Sequence, residues 1–212
     1  MTKAIIFDIG GVFFTKSETM RRQVLDRYGV TETWLQQLRT RPEYALYKQG
    51  QLSYETYLAS VDPLLPTGGA GSSEDLFWAL SLARNLNSGL VDIARILKAQ
   101  YRVAVLSNSD SFLERRLRHM GVWNLFEFVI NSYRVKLRKP DPRIFQLLMD
   151  RLALKPQEVI FVDDKESNIA AAQAMGINGH VFSANQELED WLSAQGVVLS
   201  PPVPGQAAAK SL

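Results

Sequence analysis

Cysteine is absent from the 212-residue sequence. That excludes disulfides, thiolate metal centres and a cysteine nucleophile, and leaves the redox compartment open. A dominant charge is also missing: the formal net charge is +2, too small to argue for a nucleic-acid partner. No uninterrupted apolar run approaches the roughly 20 residues that span a bilayer. The apolar run near the amino terminus breaks at Asp8, which argues against a signal peptide. The expectation is a cytoplasmic protein with neither membrane nor nucleic-acid partners. The stretch "SPPVPGQAAAKSL" lacks aromatics, is rich in proline and alanine, and is expected to be a disordered tail over residues 200–212. What remains is ordinary for a globular chain with a real core, at 46% hydrophobic and 22% charged residues. The length suits one domain with a modest insertion. Arg115, Arg116, Arg118 and His119 form a local basic cluster, read as the solvated face of a helix.

Five short apolar runs punctuate the chain: "AIIF" (4–7), "VAVL" (103–106), "FVI" (128–130), "VIFV" (159–162) and "HVF" (180–182). They are rich in β-branched and aromatic residues and do not alternate with polar ones, as strands buried on both faces do. Segments of helical period lie between them from about residue 89 onward. One begins with Asp141 as N-cap and Pro142 at the first turn. This alternation predicts an α/β protein with a parallel sheet. Between the first two strands, helices are expected at 17–28, 31–40, 53–60 and 73–86, with Ser53 and Ser73 among their caps.

Three of the strands stop on polar residues: Asp8, then Ser107 with Asn108, then Asp163 with Asp164. Parallel strands present these ends at one edge, where α/β sheets bind ligands. Three converging carboxylates raise one another's pKa unless a cation is present, and an all-oxygen cluster suits Mg²⁺. Lys139 precedes a proline just before a helix, where it can meet a phosphate oxygen or an aspartyl intermediate. A carboxylate nucleophile, a hydroxyl, a lysine and a divalent cation together describe phosphoryl transfer through an aspartyl phosphate. Taken singly, each has a plainer reading. Asp8 is a cap or turn acid, Ser107-Asn108 a turn, Lys139 a surface residue, and Asp163-Asp164 the cap of the next helix.

The set resembles the haloacid dehalogenase-like superfamily, whose four motifs stand in order as "IIFDIGGV", "VLSN", "RKPDPRIF" and "VIFVDDKESNI". The resemblance implies a Rossmann-like three-layer core over 1–15 and 88–199, with a small helical cap over 16–87 inserted after the first strand. It implies a hydrolase, a Mg²⁺-dependent phosphatase of a small phosphorylated metabolite such as a sugar phosphate. Asp8 would be the nucleophile and Lys139 its charge partner. Ser107, Asn108, Gly10 and Gly11 would hold the phosphoryl oxygens. Asp8, the Gly10 carbonyl and Asp164 would ligate the metal, with Asp163 through water or from behind. Phe14, Lys16, Tyr44, Tyr47 and Lys48 are candidates for facing the substrate, each equally well read as packing or surface.

One position departs from the pattern. Most phosphatases of this family carry a second aspartate two residues after the nucleophile, and here that residue is Gly10. Three readings follow. The first is a phosphatase whose leaving group needs little help from a general acid. The second is a 2-haloacid dehalogenase, opposed by the acidic pair Asp163-Asp164. The third is a weakly catalytic member that binds a phosphorylated ligand or a protein partner. A signalling receiver domain, from another class, orders its acidic pair and Lys-Pro the other way and has no helical insertion.

Overall fold

The computed structural model describes residues 1–48, 51–67 and 69–200, with Lys48 described by its backbone alone. The expected tail falls almost wholly outside them. In chain order the elements begin with β1 (Ala4–Phe7), β2 (Phe14–Lys16), α1 (Glu18–Tyr28), α2 (Glu32–Thr40) and α3 (Pro42–Lys48). They continue with α4 (Tyr54–Val61), α5 (Ser73–Leu82), β3 (Arg84–Leu86), α6 (Ser88–Lys98), β4 (Arg102–Ser107) and α7 (Leu113–His119). The chain closes with β5 (Val129–Asn131), α8 (Ser132–Val135), α9 (Pro142–Leu152), β6 (Val159–Asp163), α10 (Glu166–Ala174), β7 (Asn178–Val181) and α11 (Asn185–Ala194).

Five strands form one parallel sheet in the order β5-β4-β1-β6-β7. The strand period decides the two cores. Ile5 and Phe7 of β1 join Val103, Val105, Ile160 and Val162 on one face. Ala4 and Ile6 join Ala104, Leu106, Val159 and Phe161 on the other. Both faces are covered by helices, which is why these strands read as unbroken apolar runs. The register pairs Phe7 with both Val105 and Val162. Asp8, one residue further on, therefore stands level with Asp163 at the carboxyl edge of the three central strands.

The helices between residues 18 and 82 have a core of their own around Leu25, Leu35, Leu38, Tyr57, Val61 and Leu76. The expected helix over 73–86 is shorter. It ends at Leu82, and Arg84–Leu86 pairs antiparallel with Phe14–Lys16. That ribbon joins segments some 70 residues apart in sequence, so local period could not show it. Ser72, not Ser73, caps α5, exchanging hydrogen bonds with Asp75 in a capping box. The Asp141 cap and Pro142 start of α9 stand as read.

The basic face of α7 is not simply solvated. Arg116 is buried, with 3% of its side chain exposed, and donates from Nη2 to Ser109 Oγ at 3.1 Å. Arg115 lies over Trp78 of α5 at 4.0 Å, and Arg118 lies over Trp123 at 3.9 Å. Aromatic faces supplied from outside the helix take up cations that its own sequence left facing water. Among the described residues, no helix is long and apolar enough to cross a membrane.

Candidate active site

Asp8 follows the last residue of β1 and is 7% exposed. Its backbone N–H donates to Val162 O at 2.8 Å, so the turn out of the strand is tied to β6. Lys139 arrives from the loop before α9, across a cis bond to Pro140. Asn108, just past β4, fixes it in place. The Asn108 carboxamide donates to Lys139 O at 2.8 Å and accepts from Lys139 N at 2.9 Å. Both ends of that side chain are thus occupied with lysine backbone and not with an open site.

The Lys139 ammonium is buried to 1% side-chain exposure and touches three acceptors. It donates to Leu106 O at 2.7 Å and to Asp163 Oδ2 at 2.6 Å, and lies 3.0 Å from Asp8 Oδ1. Asp163 is fully buried and saturated. It also accepts from Lys165 N at 2.9 Å and from Asn168 Nδ2 at 2.9 and 3.0 Å. Asn168, on the first turn of α10, is a positioning residue that sequence reasoning missed. Its only signal is its place five residues after Asp163, on the turn that folds back over the strand end.

Asp164 has no such support. Burial, then the charges of Asp163 and Asp8, hold its pKa above the ordinary carboxylate range. Asp164 Oδ1 and Asp8 Oδ1 are both buried without an aligned hydrogen-bond donor; the Lys139 contact to Asp8 is an ion pair and not a directed hydrogen bond. Oxygens of Asp8, Asp163 and Asp164 lie within 4.8 Å of one another. Lys139 pairs with Asp8 and Asp163, and a buried oxygen of Asp164 is left without a donor beside them. A hard divalent cation with oxygen ligands fits that donor set.

The loop after Asp8 is folded on itself. Phe13 and Phe14 N–H groups both donate to Ile9 O, and Gly11 N–H donates to Phe14 O at 2.8 Å. The Gly11 amide is therefore taken up by the turn. Gly11 has φ +83°, and a Cβ there would lie 2.3 Å from Asp164 Oδ2. Gly11→Ala is expected to lower unfolding stability by about 1–2 kcal/mol from the left-handed backbone alone, more where Asp164 cannot move. Urea denaturation measures it. At Gly10 a Cβ would meet nothing within 4 Å. Ser107 is the last residue of β4 and 2% exposed. Of the candidates for facing the substrate, Phe14 is fully buried in the core, whereas Tyr44 and Tyr47 line a cavity among the helices of residues 18–82 and the loop after β4.

A parallel α/β sheet with a carboxylate cluster and a buried lysine at its carboxyl edge has its candidate site where α/β enzymes bind their ligands. The chain belongs to the haloacid dehalogenase-like hydrolase family, whose model matches residues 2–176. It is 28% identical over 183 residues to the sesquiterpene phosphatase astK of Aspergillus oryzae, covering 84% of this chain and 88% of that one. It is 26% identical over 178 residues to the fructose-1-phosphate phosphatase YqaB of Escherichia coli, covering 82% and 93%. To the bifunctional epoxide hydrolase 2 of Rattus norvegicus it is 31% identical over 143 residues, 63% of this chain, and the match spans only 26% of that larger protein. Among solved structures, a family enzyme of Bacteroides thetaiotaomicron, in complex with magnesium and inorganic phosphate, superposes with TM-score 0.70 at 20% identity. It covers 87% of this chain and 96% of the other. A dehalogenase with an intermediate complex superposes with TM-score 0.62 at 20% identity, covering 90% and 96%. These superpositions show a shared fold.

Proposed function

We propose that this chain is a Mg²⁺-dependent phosphomonoester hydrolase acting on a small phosphorylated metabolite through an aspartyl phosphate. The observation that carries the reading is the charge imbalance at the sheet edge. The Lys139 ammonium is shared by Asp8 and Asp163, while Asp164, within 4.8 Å of both, has a buried oxygen with no hydrogen-bond donor. Displacement of halide from a 2-haloacid needs no cation. It would also bring a substrate carboxylate against this excess of negative charge.

In this reading an Asp8 oxygen attacks phosphorus. The bond from phosphorus to the ester oxygen breaks, and the leaving oxygen takes a proton from water. A second water then attacks the phosphorus of the aspartyl phosphate and loses its proton. The bond to Asp8 breaks, which restores the carboxylate and frees inorganic phosphate. Lys139 holds Asp8 in position and offsets negative charge between it and the phosphoryl group. Asn108 fixes the lysine through its peptide. The Ser107 hydroxyl and the Gly10 backbone amide receive phosphoryl oxygens, the Gly11 amide being held by Phe14 O. Asp8, Asp164 and the Gly10 carbonyl would hold Mg²⁺, with Asp163 braced behind them by Lys139 and Asn168. When bound, the ion neutralises phosphoryl charge. Residues 16–87 form the cap over this edge, and 1–15 with 88–199 the catalytic core.

Phosphate release from a panel of sugar, acyl and aryl phosphates should require Mg²⁺ and cease in EDTA. Metal-independent halide release from 2-chloropropionate, with no phosphate release, would overturn the reading. The Gly10 position supplies a sharper measurement. The space around it admits a side chain, so Gly10→Asp should fold and supply the missing proton donor. General acid help is worth about 10²–10⁴-fold. Turnover of alkyl phosphates should rise toward the lower end of that range, while turnover of 4-nitrophenyl phosphate, whose leaving group needs no proton, changes little. Equal response of both esters would refute this account of Gly10.

A further inference from the structure

A cavity of about 210 Å³ lies between the helices of residues 18–82 and the loop leaving β4. Its walls are tied to both halves of the candidate site. Asp110 and Phe112 lie three and five residues past Ser107. Arg84 sits on β3, opposite Lys16 of the strand that follows the Gly10-Gly11 loop. The body of the cavity is aromatic. Tyr47 and Tyr57 stack at 4.9 Å with an interplanar angle of 6°, and Tyr57 stacks in turn on Phe77 at 5.9 Å.

The charge on the lining is one-sided. It contains Arg21, Arg39 and Arg84 against a single acid, Asp110. Arg21 is paired with Glu32, and Asp110 has Arg116 Nη1 at 3.6 Å from its carboxylate. Among the described residues, no carboxylate lies within ion-pair distance of Arg39 or Arg84. The phenols add no negative charge at neutral pH: burial raises the Tyr47 pKa to about 12 and moves Tyr54 and Tyr57 in the same direction. Two further polar atoms on the lining, Tyr54 OH and Ser81 Oγ, are buried with no hydrogen-bond partner. Buried hydroxyls without partners and guanidiniums without counter-ions are the complement of a ligand. A neutral polyol would satisfy the hydroxyls and leave the half-buried Arg84 guanidinium, whose Nε donates to Ser81 O, without a carboxylate.

We infer that this cavity takes the part of the substrate beyond the phosphoryl group, and that this part is a flat, ring-bearing body carrying a carboxylate. The aromatic walls pack against the ring, Arg39 and Arg84 pair the carboxylate, and the hydroxyls of Tyr54 and Ser81 complete its hydrogen bonds. The substrate is then a phosphorylated carboxylic acid. This rests on the reading of Asp8 as the residue that accepts the phosphoryl group.

Two non-hydrolysable ligands test it by calorimetric titration in the presence of Mg²⁺: 4-carboxyphenylphosphonate and phenylphosphonate. The carboxylate should tighten binding about tenfold or more. Arg39→Gln, on an exposed position of α2, and Arg84→Met should each cut that advantage to about threefold or less by weakening the carboxylate ligand. Equal affinity of the two ligands, or an advantage unchanged in both variants, would overturn the inference. Turnover of phenyl phosphate by the unaltered protein reports separately on the phosphatase reading. Turnover without carboxylate discrimination removes the cavity assignment alone. Discrimination without turnover of any phosphate ester leaves the anion-binding cavity standing and removes the phosphatase.

Discussion

Asp8→Asn should reduce phosphate release by at least about 10⁴-fold, the scale seen when a residue that bonds to the substrate is removed, and the fold should survive. The amide oxygen can still face the Lys139 ammonium, which lies 3.0 Å from Asp8 Oδ1. The substitution also takes one negative charge out of the cluster with Asp163 and Asp164. Stability in urea should therefore stay within about 1 kcal/mol of the parent, the scale of a single hydrogen bond. The two measurements are informative together. Lost turnover with an intact unfolding curve assigns Asp8 to the chemistry. Retained turnover would send the search for a nucleophile elsewhere.

Lys139→Met should have the opposite balance, with a large effect on stability as well as on rate. The ammonium stands between Asp8, Asp163 and the Leu106 carbonyl, and almost none of it is exposed. Removing the cation leaves carboxylates uncompensated in a buried setting. Breaking one partner of a buried ion pair costs about 3–5 kcal/mol, which in a chain of this size lowers the melting temperature by roughly 6–20 °C. The measurement is thermal and urea unfolding in EDTA, so that no added cation stands in for the lysine. Replacing Asp163 as well, as Lys139→Met with Asp163→Asn, should restore part of the loss, because the stranded charge is removed from both sides. If the double variant is no more stable than the single, the cost comes from packing around Phe161, whose ring lies 5.1 Å from the ammonium, and not from charge.

Much of this architecture is legible in the sequence. Each of the five apolar runs lies on or overlaps a strand of the parallel sheet, because a strand buried on both faces must be apolar along its whole length. The polar residues that end β1, β4 and β6 do meet at one edge, because parallel strands in register can place them nowhere else. The helix caps at Ser53 and Asp141 were readable because capping is a local bond between a side chain and the next turn. The failures share an opposite cause. The β2–β3 ribbon, the burial of Arg116 and the cavity arginines all depend on segments far apart in sequence.

The sequence by itself determined the parallel sheet, the family, and the convergence of Asp8, Lys139, Asp163 and Asp164. Those follow from periodicity and from the order of short motifs, which are local properties of the chain. Only the tertiary structure decided what each polar atom touches. It gave Asn108 to the Lys139 backbone and the Gly11 amide to Phe14. It saturated Asp163 with Asn168 and Lys139, and left oxygens of Asp8 and Asp164 without hydrogen-bond donors. Such assignments turn on distances of an ångström or less between groups brought together by packing. A sequence pattern fixes which residues approach one another, not which lone pair is left for a ligand.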